Sequence, residues 1–150
     1  MARLRTTAIF APATAAVMLF TGLSGPAQAA PPHFNKTVKC KQEDPDGRVV
    51  PTRIGNSELG WNHFALRHNI RKCKIVNAAL KGNVDVVSGA DIQYFGYAMR
   101  PGQRRVTIVV KARYAQRTAD GRYKMDRGQK VGVITAYCKG MRKCPEWVNQ

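Results

Sequence analysis

Arg105-Val106-Thr107-Ile108-Val109-Val110-Lys111-Ala112-Arg113-Tyr114 is dense in β-branched residues and is the strongest strand signal in the chain. Lys111 and Arg113 fall on one face of such a strand, and Ile108 and Val110 on the other. Working outward, Val84-Asp85-Val86 alternates, Ile92 to Tyr97 is aromatic and β-prone, and Gln129 to Cys138 is a further strand. Ala119-Asp120-Gly121-Arg122 carries an Asp-Gly turn between strand-like runs and reads as a hairpin. Upstream of these strands the pattern is helical. Ser57 is a candidate cap, Glu58 suits the positive first turn, and Asn69 is a stop for a helix over Ser57–Asn69. Gly60 weakens that helix by its backbone freedom. A second helix is expected over Lys72–Leu80, ended by Gly82. The expectation is an α+β domain: one or two N-terminal helices packed on a twisted antiparallel sheet of four to five strands.

Residues 30–56 contain Pro31-Pro32 and Asp44-Pro45-Asp46-Gly47, which are loop and turn signals. They are expected to form an ordered N-terminal arm with a short strand at Val49-Val50. The main domain then spans residues 57–150. Residues 1–29 have the three parts of a secretion signal: Arg3 and Arg5, an apolar run from Ala8 to Leu23, and the small-x-small site Ala27-Gln28-Ala29. Pro12, Gly22 and Gly25 interrupt the run, which argues against a membrane anchor. No later segment is apolar enough to cross a bilayer. The expected product is a secreted, monomeric chain of 121 residues beginning at Ala30.

The whole chain carries +16. The leader holds two arginines and no acid, so the chain from Ala30 carries +14. Such an excess steers the protein toward polyanions and weakens its compact state by self-repulsion. The four cysteines, Cys40, Cys73, Cys138 and Cys144, offer an offset. In an exported domain an even count reads as disulfides. Three pairings are possible, and the one adopted is Cys40–Cys73 with Cys138–Cys144. These would constrain the unfolded chain by about 4 and about 2 kcal/mol on the loop-entropy model. A zinc site is the alternative, but there is no CxxC pair and Cys138-x5-Cys144 is not a usual ligand spacing.

The candidate chemistry lies in Gly60-Trp61-Asn62-His63-Phe64-Ala65-Leu66-Arg67-His68 and in Thr135-Ala136-Tyr137. Two imidazoles can act as base and acid near neutral pH. Arg67 can clamp a phosphate with its planar fork. Thr135 and Tyr137 are two apart on a strand, so their hydroxyls project together. Lys111 and Arg113 are candidates to complete a phosphate site, and Trp61 is grouped with them as substrate-binding. His33 lies in the proline-rich start and is taken as inert. On an ideal helix, residues five apart point roughly 140° away from each other. Either the helix ends near Arg67 and His68 turns back, or only one imidazole enters the site. Nine acidic residues without a cluster argue for chemistry without metal or cofactor.

The GWxHxxxRH run, followed some seventy residues later by Thr-Ala-Tyr, resembles small bacterial ribonuclease toxins of the barnase–EndoU–colicin–RelE-like group. It is also similar to the pancreatic-ribonuclease-like bacterial toxins, which carry a comparable His and Thr-x-Tyr set. The resemblance implies a helix-borne histidine against an antiparallel sheet and metal-free cleavage of RNA. It implies catalytic roles for His63, His68, Arg67, Thr135 and Tyr137, RNA as substrate, and an immunity protein as the partner of a toxin. The chain departs from the pattern in being a small free-standing export, and in the cysteine-bearing segment after His68. Two other classes compete. A non-catalytic cationic binder of nucleic acid or cell surfaces accounts for the charge and the disulfides. A protease inhibitor would use the short basic loop 139–143.

Overall fold

The computed structural model describes Ala30 and residues 32–150; the leader expected over residues 1–29 lies outside the described residues. The described chain runs β1 (Asn35–Glu43), β2 (Val49–Gly55), α1 (Trp61–His68), α2 (Cys73–Leu80), β3 (Val84–Ser88), β4 (Asp91–Ala98), β5 (Val106–Arg113) and β6 (Gly132–Cys138). A 3₁₀ turn over Glu146–Asn149 closes it. Strands β3-β4-β5-β6 form an antiparallel meander in that order, and β1 pairs antiparallel with β2 in a second sheet.

The architecture is α+β, but the helices are not N-terminal. They follow a two-stranded hairpin built from most of the stretch expected to be an arm. The hairpin escaped the sequence because β1 is exposed at most positions and rich in lysine, so it has no apolar alternation to read. Its strand is held by pairing with β2, whose Val50 belongs to the main core. The Cys40–Cys73 disulfide ties it to the start of α2, across a Cα–Cα distance of 6.2 Å. The second disulfide is Cys138–Cys144, as expected.

Asp44-Pro45-Asp46-Gly47 is indeed the hairpin turn. Gly47 takes φ 78° there, and its amide donates to the Asp44 carbonyl. The Asp44 side chain is fully buried and accepts from the Arg48 amide (2.9 Å), the Arg48 guanidinium (2.8 Å) and the Tyr94 hydroxyl (2.6 Å). Burial alone would raise this carboxyl; those donors outweigh it and hold it below the usual carboxylate value. Burial, with the bond to Asp44, pushes the Tyr94 phenol up. Farther along, the buried Arg53 donates to the Lys130 carbonyl and the Gln129 side chain, pinning β2 to the loop before β6.

The main core lies between the helices and one face of the meander. Phe64 of α1 and Ile75, Val76, Ala79 and Leu80 of α2 pack there with Ile92, Tyr94, Ile108, Val110, Ala112, Val133 and Ala136. A smaller cluster of Leu59, Tyr123, Met125 and Val131 sits with Phe34 and Ile134. The segment between β5 and β6 supplies much of it. The hairpin expected there is reduced to a turn with Gly121 at φ 72° and one bridge, Arg117 to Lys124.

Strand β6 carries one extra residue. Lys111 pairs with Thr135 and Ala112 with Val133, so Ile134 is bulged out of register. The bulge shifts the alternation. Val133 stays on the core face with Ala112, while Thr135 and Tyr137 share the opposite face with Lys111 and Val109.

Candidate active site

Helix α1 starts later than its sequence signals suggest. Its N-cap is Gly60, not Ser57. The Asn56 side-chain carbonyl accepts from the Glu58 and Leu59 amides, which organises the turn before the helix. Gly60 has φ 83°, and a Cβ there would lie 2.9 Å from the Arg53 carbonyl oxygen. Its amide donates to the carbonyl of the bulged Ile134 at 2.9 Å. Glycine is thus required by a tight approach that fixes the head of α1 to β6. Glu58 does not face the helix terminus; its carboxylate accepts from Tyr123 (2.7 Å) and pairs with Arg122.

The tail of α1 is held as firmly. Asn69 adopts the left-handed conformation at φ 58° and ends the helix. Its side chain donates to the Cys144 carbonyl at 2.9 Å, and the Cys144 amide donates to the His68 carbonyl at 2.9 Å. His68 is therefore the last helical residue, seated on the Cys138–Cys144 loop.

This placement resolves the five-residue spacing. The His63 and His68 rings lie 5.4 Å apart between centroids and meet edge to face. The two imidazoles are thus neighbours despite the five-residue spacing. His63 Nδ1 lies 2.9 Å from the Ser57 carbonyl oxygen, and His68 Nδ1 lies 3.3 Å from that of Arg142. A carbonyl only accepts, so each neutral ring keeps its proton on Nδ1 and presents Nε2 as an acceptor. The Tyr137 ring lies 5.8 Å from that of His68, and the Lys111 ammonium 5.9 Å from the Tyr137 ring. Thr135 sits beside Lys111 in register. Its hydroxyl is shut off from solvent and has no hydrogen-bond partner among the described residues.

Arg67, exposed, joins Leu66, His68, Arg142 and Lys143 around an open recess of about 520 Å³. Among the described residues none of these cations has a carboxylate partner. Arg142 and Lys143 were missed as site residues. Sequence reading assigns the loop 139–143 only to the protease-inhibitor alternative, whereas the disulfide folds it against His68.

The remaining candidates lie apart. Trp61 stacks edge to face on Phe64 at 5.3 Å, packs against the core, and carries Lys39 over its ring at 4.7 Å. Arg113 is occupied, bridging to Asp91 and to the Arg117 carbonyl, each at 2.7 Å. His33 is exposed.

The cluster can move a proton and hold an anion. His68 lines the cationic recess, the His63 and Tyr137 rings each lie within 6 Å of its ring, and the Lys111 ammonium lies beside Tyr137. Among the described residues no group of three or more His, Cys, Asp or Glu is arranged to hold a metal ion, and no helix is long and apolar enough to cross a membrane. The chain matches no model of a known protein family and no curated protein sequence.

Proposed function

We propose that the protein is a secreted endoribonuclease that cleaves RNA by attack of its own 2′-hydroxyl. The observation that carries this reading is the approach of His63, His68 and Tyr137 to one another within 6 Å between neighbouring rings, beside unpaired cations. In this mechanism His63, held by the shorter Nδ1 bond, takes the 2′ proton on Nε2. The 2′ oxygen attacks phosphorus and the bond to the 5′ oxygen breaks. Protonated His68 gives its proton to the departing 5′ oxygen, leaving a 2′,3′-cyclic phosphate. Lys111, Arg67 and the hydroxyl of Tyr137 stabilise the charge that builds on the phosphoryl oxygens, while the Thr135 hydroxyl, shut off from solvent, lies behind them and does not touch the substrate.

Every step is assigned to a side chain, so the reaction calls on no metal. Secretion is supported by the leader signals and by two disulfides, which persist in oxidising compartments. An antibacterial role and an immunity protein follow from the toxin resemblance alone. The test is incubation of the oxidised protein with RNA, with and without chelator. Cleavage is expected to survive EDTA and leave cyclic ends, and His63→Ala should lower it by about 10²- to 10⁴-fold. Undiminished turnover in His63→Ala removes the assignment. Salt-sensitive binding without any turnover leaves a cationic binder instead.

A further inference from the structure

The face of the meander opposite the helices carries a second pattern. In register across it lie Phe95 and Tyr97 of β4, Thr107, Val109 and Lys111 of β5, and Thr135 and Tyr137 of β6. Each of its three aromatic rings has a cation beside it. The Arg105 guanidinium lies 4.7 Å from the Tyr97 ring centroid, the Lys139 ammonium 5.8 Å from that of Phe95, and the Lys111 ammonium 5.9 Å from that of Tyr137. Tyr97 is 56% exposed and Phe95 half-buried. The acids near this face are occupied. Asp85 accepts from the Phe95 amide at 2.7 Å, and Asp91 is bridged to Arg113. Among the described residues no carboxylate pairs with Arg105, Lys111 or Lys139.

We infer that this face is a base-stacking platform for single-stranded RNA, continuous with the site proposed above and resting on that reading for the nature of its substrate. Stacked rings need flat partners, and the free cations need an anionic chain; a single strand supplies both. A duplex hides its base faces, and a polyanion without bases uses only the cations. Phe95 and Tyr137 flank Val109 on either side, roughly 10 Å apart across two strand spacings. Tyr97 lies roughly 7 Å farther along β4. A strand whose cleaved phosphate sits at His63 and His68 lays one base on Tyr137 and the neighbouring bases over Phe95 and Tyr97. Exposed aromatics on a four-stranded sheet stack two or three bases in this way.

The test is fluorescence anisotropy with a labelled single strand of about twelve 2′-deoxynucleotides, which lacks the hydroxyl needed for cleavage. Tyr97→Ala changes an exposed side chain and is expected to weaken this binding about tenfold. Tyr97→Phe should retain it, and polyphosphate should bind Tyr97→Ala as it binds the unaltered protein. Arg105→Ala should weaken the single strand and polyphosphate alike. Equal affinity of Tyr97→Ala and the unaltered protein for the single strand overturns the platform, as does a duplex bound as tightly as the single strand. Failure to cut RNA with the Tyr97 effect intact would sink only the nuclease reading. Cleavage with a silent Tyr97→Ala would sink only the platform.

Discussion

Helices α1 and α2 are each eight residues long, yet they are held in opposite ways. Helix α2 buries Ile75, Val76, Ala79 and Leu80 and is anchored by its apolar face. Helix α1 buries only Phe64, with Trp61 half-buried beside it. It is fastened at its ends instead, by the Gly60 amide on β6 and by Asn69 and Cys144 at its tail. A helix fixed by its termini can leave a face for function. Helix α1 carries His63, Arg67 and His68 on the surface this leaves uncovered.

The strongest test of this contrast compares two leucines. Leu80→Ala, at a fully buried position, is expected to cost about 2–5 kcal/mol in denaturant unfolding. Leu66→Ala in α1, where the side chain is 74% exposed, should stay within about 0.5 kcal/mol. A comparable loss at Leu66 would mean that α1 also depends on its apolar face. Next comes the head of α1. Gly60→Ala must move the Arg53 carbonyl or distort φ, at about 1–3 kcal/mol, and it should slow RNA cleavage by displacing His63. Wild-type stability together with wild-type cleavage would show that the Gly60 anchor is dispensable.

The smallest effect concerns the hairpin turn, which is likewise fastened by polar bonds. The folded Asp44 carboxyl titrates below its unfolded value of about 3.9. Its contribution is therefore present above that pH and is lost as pH falls through the lower folded value. Melting temperatures measured from pH 5 to pH 2 should fall, and Asp44→Asn should flatten the slope. An unchanged slope would move the acid sensitivity to another carboxylate.

Much of this was legible in the chain. The β-prone runs at 84–86, 92–97, 105–114 and 129–138 each hold a strand of the meander, the last beginning only at Gly132, because apolar alternation reports a half-buried sheet. Asn69 read correctly as a helix stop, and the cysteine pairing was the adopted one. Strand β1 was not legible, since Lys36, Lys39 and Lys41 are solvated and its partner lies across a turn. Ser57 looked like a cap, but its carbonyl receives the His63 imidazole instead.

By itself the sequence determined the α+β class, the strands of the meander and the residue types able to shuttle protons, because composition and periodicity are local properties. It also set the same-face pairing of Thr135 with Tyr137, which follows from a two-residue repeat. Only the tertiary structure decided which face that is. The extra residue Ile134 turns both hydroxyls away from the core, and its carbonyl anchors the helix that bears His63. The nearness of His68 to Tyr137 and Arg142 was decided in the same way, by a disulfide loop folding back on a helix end, a long-range closure that no local pattern records.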